Sequence, residues 1–339
     1  MSAARGPGPG WLRTVYRAAR GLLLRVSAAK HRLLNVFDRP IVILLYHRVT
    51  ELASDPERLA VTPSNFRRHL EFLKGRFRLV RFEEPWTAGL APAVVVTFDD
   101  GYADNVIEAL PLLEEVGVPA TFFVSTGHLD TSAEFWWHRL ERLLLREDEF
   151  PERFVLEDPR YGGSWRTGSS GERRALYGRL NFLMQKVPAE RRERWLEQLG
   201  RWADGRGGAG GPLHRSMTVA ELKRLAESPW VTIGAHTVTH SALAALTGEE
   251  QRAEIFASKE ALERILGRAV TTFSYPFGRK RDYDRTSVRL CREAGFVKAA
   301  SNFPGQVHRW TDPFQLPRHL VRDWDLDTFA AQVESFWTI

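Results

Sequence analysis

The sequence predicts an α/β protein with a parallel sheet or barrel, and three observations point there. Uninterrupted apolar runs, "IVILLY" at 41–46, "AVVVTF" at 93–98 and "ATFFV" at 120–124, have the form of strands buried on both faces. Stretches of helical periodicity separate these runs, as crossover connections between parallel strands require. Polar, chemistry-bearing residues follow directly on several of the runs, at the strand ends where α/β folds build their sites.

The elements follow in order after Pro40. "TPSNFRRHLEFLKG" (62–75) begins with Thr-Pro and ends in glycine, the signals of a helix's two ends. After the strand 93–98 comes a helical pattern over 104–117, then the strand 120–124. Further strands are expected at 230–235, 270–275, 296–300 and 316–321. Helices are expected over 248–267, near 285–294 and in "LDTFAAQVESFW" (326–337). The rhythm breaks between about 130 and 215. Here "FWWHRLERLLL", "RRALYGRLNFLMQKV" and "AERRERWLEQLGRWA" read as helices, and "DGRGGAGGP" as a glycine-rich connector. The expected organisation is a leader over 1–40 and one catalytic domain over 41–339, with a helical insertion at about 130–215. No repeat of 20–50 residues is apparent.

Of the 339 residues 43% are hydrophobic and 27% charged, a balance suited to a packed globular core. The net charge of +6 is not spread evenly. Residues 1–40 carry eight Lys or Arg against one acid, which leaves 40 basic and 41 acidic side chains beyond them. The balanced body carries no nucleic-acid footprint, so no nucleic-acid partner is expected. Within the leader, apolar residues from Trp11 to Phe37 recur at helical spacing, with Arg13, Arg17, Arg20 and Lys30 between them. That pattern suits a basic amphipathic helix lying on an anionic membrane through residues 11–37, and equally a helix packed on the domain. Its longest apolar run, "GLLL", is far too short to span a bilayer. A cytoplasmic location, with the leader peripheral on the inner face of the membrane, is the expectation. The single cysteine, Cys291, cannot form an internal disulfide and sits in an amphipathic helical pattern as a small buried hydrophobe.

Three motifs carry chemistry. "TFDDGYADN" (97–105) puts Asp99 and Asp100 at the end of a buried strand, with Gly101 to turn the chain. Adjacent carboxylates there point in different directions, so one can bind a metal while the other hydrogen-bonds a water. An Asp-Gly turn with one aspartate capping the next helix is the plainer alternative. "HTVTH" (236–240) follows another strand. Two neutral imidazoles with one carboxylate make a three-ligand set that leaves a coordination position for water. Such a set suits hydrolysis, although histidines of this spacing also occur as ordinary polar residues. "FSYPFG" (273–278) is stiffened by Pro276, which fixes its own φ and biases Tyr275 toward extended backbone. Its N–H groups could serve an oxyanion and its aromatics a sugar wall, or it could be a hydrophobic plug.

Taken in order, "TFDDGYADN", "PLLEEVGVPATFFV", "HTVTH" and "YPFG" resemble the polysaccharide deacetylase family with the NodB-homology domain, carbohydrate esterase family four. "ILLYHRV" near the start and "LPRHL" near the end resemble the branch acting in exopolysaccharide and surface-glycan biosynthesis. The resemblance runs from about 41 to 335, apart from the insertion. It implies a deformed (β/α) barrel of about seven strands and a divalent metal, most commonly Zn2+. The implied reaction hydrolyses an N-acetyl group on an amino sugar of a polysaccharide or lipid-linked glycan and releases acetate. Carried onto this chain, it makes Asp99 the general base, Asp100, His236 and His240 the metal ligands, and the backbone N–H of Phe277 the oxyanion donor. Tyr275, Pro276, Trp136 and Trp137 are the expected substrate contacts, the two tryptophans being candidates for helix packing as well.

Two departures from the family pattern stand out. Where many members have an arginine two residues before the proline, this chain has Ser274, and Arg318 is the candidate to orient the base instead. The family's late acid histidine has no clear match. His47, His308 and His319 are the substitutes, with His47 favoured because "LLYH" puts it at a strand end. These departures leave room for a catalytically weak glycan-binding protein on the same fold. A hydrolase of another non-peptide C–N bond is the other alternative.

Overall fold

The computed structural model describes Asn35 and residues 38–86, 92–131, 134–146, 149–204 and 214–337. The amphipathic helix expected over 11–37 of the leader lies outside the described residues apart from Asn35, as does most of the glycine-rich connector. In chain order the first half of the structure holds β1 (Ile41–Tyr46), β2 (Arg48–Val49), β3 (Ala60–Val61), α1 (Pro63–Arg76), β4 (Arg78–Leu79), β5 (Ala93–Phe98), α2 (Leu110–Val116) and β6 (Ala120–Val124). There follow α3 (Trp136–Leu144), β7 (Arg153–Leu156), β8 (Gly163–Arg166), α4 (Ser170–Met184) and α5 (Ala189–Trp202). The remainder comprises α6 (Val219–Glu227), β9 (Val231–Ala235), α7 (Gly248–Leu266), β10 (Thr272–Ser274), α8 (Arg285–Glu293), β11 (Lys298–Ala300), β12 (His319–Leu320) and α9 (Leu326–Ser335).

Seven strands pair in the order β11-β10-β9-β6-β5-β1-β12, all parallel, and β4 adds to the start of β5. The sheet curls into a deformed (β/α) barrel. Its last gap is crossed by the short segment 316–320. Leu316 bridges to Ala300 of β11, while His319 and Leu320 pair with Leu44 and Leu45 of β1. The alternation of a strand explains why β1 can be apolar throughout. Val42, Leu44 and Tyr46 pack outward with Phe66, Leu70 and Leu73 of α1, whereas Ile41 and Ile43 face a separate interior cluster with Val95, Phe123 and Leu316.

Residues 136–202 build a third cluster of their own. Leu140 and Leu144 of α3, Leu180 and Met184 of α4, and Trp195 and Leu199 of α5 close over one another. The expected helices are there, but so is an antiparallel hairpin, β7–β8, where only helices are predicted. Its outer face alternates with exposure (Arg153 and Val155 out, Phe154 and Leu156 in), a pattern too short to stand out among helical neighbours. The helix expected over 104–117 is also modified, since its first turn, Asn105–Ala109, is wound as a π-helix.

Candidate active site

The carboxyl ends of β1, β5, β9 and β10 deliver His47, Asp99 and Asp100, His236, and the 275–279 loop to one end of the barrel. Backbone geometry there is unusual. Asp100 (φ 77°), Thr237 (φ 64°), His240 (φ 51°) and Phe277 (φ 60°) all adopt the left-handed region. Side chains with a Cβ disfavour that region at a cost on the order of 1 kcal/mol or more each, so the surrounding hydrogen bonds must enforce it. Gly101 continues the turn with φ 86°, and a Cβ there would lie 2.9 Å from Cγ1 of Val124.

The result is a compact donor cluster. Oδ1 of Asp100 lies 3.1 Å from Nε2 of His240 and 3.5 Å from Nε2 of His236. One ligand atom from each of the three residues falls within 4.8 Å of the others, and all three residues are buried. Nδ1 of His236 donates to the Ser274 carbonyl at 2.8 Å, which leaves the Nε2 lone pair turned toward the cluster. Asp100 Oδ1 is buried with no hydrogen-bond donor among the described residues. A divalent cation fits this set of two imidazoles and one carboxylate. Burial pushes the Asp100 carboxyl upward, but His240 and His236 outweigh it and hold it well below the usual range.

Asp99 is held differently. Arg318 donates from Nη1 to its Oδ1 at 2.8 Å and from Nη2 to its Oδ2 at 2.6 Å, a two-pronged pairing buried on both sides. The same Nη2 donates to Ser274 Oγ at 2.8 Å, and Ser274 in turn donates to Asp99 Oδ2 at 3.1 Å. Ser274, which stands as a departure in the sequence, therefore completes the hold on Asp99. Nε of Arg318 is fixed by the Ser301 carbonyl at 2.7 Å. Burial raises the Asp99 carboxyl, yet Arg318 and then His236 prevail, and its pKa lies below the ordinary carboxylate value.

An open cleft with an interior of about 140 Å³ lies over these groups. Asp99, Asp100, His236, His240, His47, Trp136, Trp137 and Phe277 all line it. The ring of Phe277 lies 4.8 Å from His240, and its backbone N–H has no protein partner among the described residues. Trp136 and Trp137 both line the cleft and belong to the α3 packing cluster. Trp137 donates to the Tyr102 hydroxyl at 2.9 Å and sits edge-on to His240 at 4.7 Å.

Other expectations are corrected. Tyr275 does not reach the cleft. It is buried, stacks on Tyr283 at 4.1 Å and donates its hydroxyl to the Phe314 carbonyl, because β10 turns its side chain into the helix-facing core. Pro276 is buried too and shapes the loop without lining the cleft. Of the three substitute histidines, His308 pairs with Asp38 and His319 stacks on Phe336 while bonding the Gly305 carbonyl. Only His47 lines the cleft, and burial lowers its pKa against the opposing pull of Asp100 and Asp99.

Sequence reasoning missed the groups behind the site. Asp104 accepts from Arg48 and the Val49 N–H, and Asn105 donates to the His47 carbonyl at 2.9 Å. Both belong to the quoted "TFDDGYADN", so the motif already contained them. Glu57, which accepts from Tyr177 and Asn181 of α4, had no comparable signal.

The fold and site together define a curled parallel α/β barrel that gathers a buried Asp–His–His cluster and a second, arginine-held aspartate at its strand ends. The family model for polysaccharide deacetylases matches residues 88–150 and 198–299. This chain belongs to the polysaccharide deacetylase family. The stretch between the matched segments, 151–197, contains the β7–β8 hairpin, α4 and the first half of α5. The Bacillus subtilis (strain 168) protein YxkH, provisionally named a polysaccharide deacetylase, is 21% identical over 308 residues, or 86% of this chain and 76% of that one. Among solved structures, IcaB from Ammonifex degensii aligns with TM-score 0.55 and 18% identity, covering 89% of this chain and 98% of its own. The Streptococcus pyogenes deacetylase PplD, solved in complex with acetate, aligns with TM-score 0.54 and 16% identity over 87% and 98% of the two chains. These structural likenesses speak to the fold.

Proposed function

We propose that this protein is a metal-dependent N-deacetylase acting on an amino sugar of a polysaccharide or lipid-linked glycan. The observation that carries the reading is the juxtaposition of an arginine-held aspartate with a three-donor cluster in one cleft. Asp100, His236 and His240 would hold the cation, zinc being the natural occupant for two imidazoles and a carboxylate. When bound it supplies Lewis acidity toward water and toward the acetamide carbonyl.

The chain's own residues do the rest. Asp99 stays ionised, aimed by Arg318 and Ser274, and takes a proton as the water oxygen bonds to the acetyl carbon. The Phe277 N–H donates to the oxygen that becomes negative, and being unpaired it needs no rearrangement to do so. The carbon–nitrogen bond then breaks as the amine gains a proton, which we assign to His47. Trp136 and Trp137 give the sugar ring apolar faces against which to lie. The arginine that many family members carry where this chain has Ser274 is replaced by Arg318, which weakens the reading as a glycan-binding protein without turnover.

The test is an acetate-release assay across N-acetylated glycans and lipid-linked sugars. Chelator-stripped protein is expected to lose release on the active substrate and regain it when zinc is restored; release that survives complete metal removal sinks the proposal. For His47, the Gln variant is expected to lower kcat by about 100-fold and abolish the alkaline limb of the pH–rate profile. An unchanged limb would move the acid to another group.

A further inference from the structure

The strained "HTVTH" loop is tied down by hydrogen bonds on two sides, and its outermost ties come from two residues outside the barrel strands. His236 N–H donates to the Val124 carbonyl, and the His236 carbonyl accepts from Ser125 Oγ. The Thr237 and Val238 carbonyls accept from the N–H groups of Thr126 and Gly127. On the other side, Glu254 of α7 accepts from the Val238 N–H at 2.8 Å, the Thr239 N–H at 2.9 Å and the Thr239 hydroxyl at 2.6 Å. Arg192 of α5 donates from Nη2 to the Thr239 carbonyl at 3.1 Å and to Ser241 Oγ at 3.3 Å. The Thr239 residue is thus gripped at its N–H and hydroxyl by a carboxylate, and at its carbonyl by a guanidinium.

Neither residue reaches the cleft lining, and neither belongs to the donor cluster. Arg192 is only 3% exposed, and its guanidinium lies 5.4 Å from the Trp136 ring centre, against the back of the cleft wall. Burial lowers its pKa to about 10, so it remains a cation near neutrality. Glu254 sits on a long helix whose start is fixed by a capping box between Thr247 and Glu250, which makes it a rigid anchor.

We infer that Arg192 and Glu254 are positioning residues: together they hold the loop between His236 and His240 in its left-handed turns, so that both imidazoles converge on Asp100. The position of Arg192 makes the 136–202 block part of this hold as well as a wall of the cleft. A ligand pressing on Trp136 and a cation in the donor cluster therefore act on the two sides of one side chain. The inference rests on the metal-site reading for its effect on affinity, but the clamp itself can be measured without a metal.

The experiment uses the full chain with Glu254→Gln, Arg192→Met, Arg192→Lys and Thr239→Val, the last removing only the hydroxyl, with its ties to Glu254 and Ser241. In metal-free protein, amide hydrogen exchange at Val238 and Thr239 is expected to quicken at least tenfold in Glu254→Gln, with amides of β5 and β6 unchanged. Zinc affinity, read by competition with a chromophoric chelator, is expected to fall by about 10- to 100-fold in Glu254→Gln and Arg192→Met. The cobalt-substituted absorption spectrum should shift with it, and Arg192→Lys should recover part of the loss. Thr239→Val keeps the clamp testable if a larger change fails to fold, and is expected to show the same exchange effect in smaller measure. Unchanged exchange at Val238 and Thr239 across the folded variants overturns the clamp. Wild-type protein that binds neither zinc nor cobalt overturns the metal reading instead, and the exchange result still decides the clamp.

Discussion

Replacing Asp99 by Asn is expected to lower kcat for acetate release by about 10³- to 10⁴-fold, the upper range for loss of a general base. Zinc affinity should change little, since Asp99 is not one of the three clustered donors. The amide is nearly the size of the carboxylate, but only its oxygen can accept from Arg318 and the guanidinium loses its charge partner, so folding stability should fall by up to about 3–5 kcal/mol and is measured alongside. The amide cannot take up the proton of the attacking water. Retained turnover in Asp99→Asn would remove this residue from the chemistry, and a parallel collapse of zinc binding would make it a ligand. Metal titration beside single-turnover kinetics distinguishes the outcomes.

Arg318→Met should carry the second-largest effect, and on two measurements at once. Without the guanidinium, Asp99 becomes a buried carboxylate lacking its charge partner, which costs about 3–5 kcal/mol of folding stability. The pH dependence has a definite sign. In the native protein the Asp99 pKa lies below its unfolded value, so the pairing stabilises the fold above the ordinary carboxylate pKa and is lost as pH falls through the depressed one. Removing Arg318 leaves burial as the main influence and raises the Asp99 pKa. The acidic limb of the pH–rate profile should therefore move to higher pH, with kcat down about 100-fold at its optimum. Urea unfolding across pH and a pH–rate profile check the two parts. A stable variant with an unmoved acidic limb would mean that Ser274 alone holds the base.

Much of the fold was legible because its cause is local. Strands β1, β5 and β6 coincide with apolar runs that no amphipathic helix would tolerate, and their limits match those read from sequence. The helix ends at Thr62 and Gly267 follow from turn and cap chemistry. Short pieces were harder. β4 has two residues and exists only through its pairing with β5, and of the strand expected over 316–321 only His319 and Leu320 pair as β12. In the site, the residues at strand ends were legible because adjacency in sequence delivered them there. Arg318 was named as a candidate to orient the base, but its contact with Asp99, like those of Ser274, Arg192 and Glu254, spans many residues, and a single sequence does not encode such distances in its spacing. Tyr275 misled for the opposite reason: its place in a family-like motif says nothing about which way the chain turns it just past β10.

The closing segment of the barrel links folding to chemistry in time as well as in space. Arg318 lies between Leu316, which bridges to β11, and His319, which pairs with β1, and it is 219 residues from the aspartate it aims. A nascent chain can form β1, β5 and β6, and even gather the Asp–His–His cluster, well before this guanidinium exists. It would do so with its base unaimed. On the proposed mechanism, hydrolytic competence would arrive only when the circle of strands is complete, and a local opening of the 316–320 seam would silence the enzyme before the rest of the structure gave way.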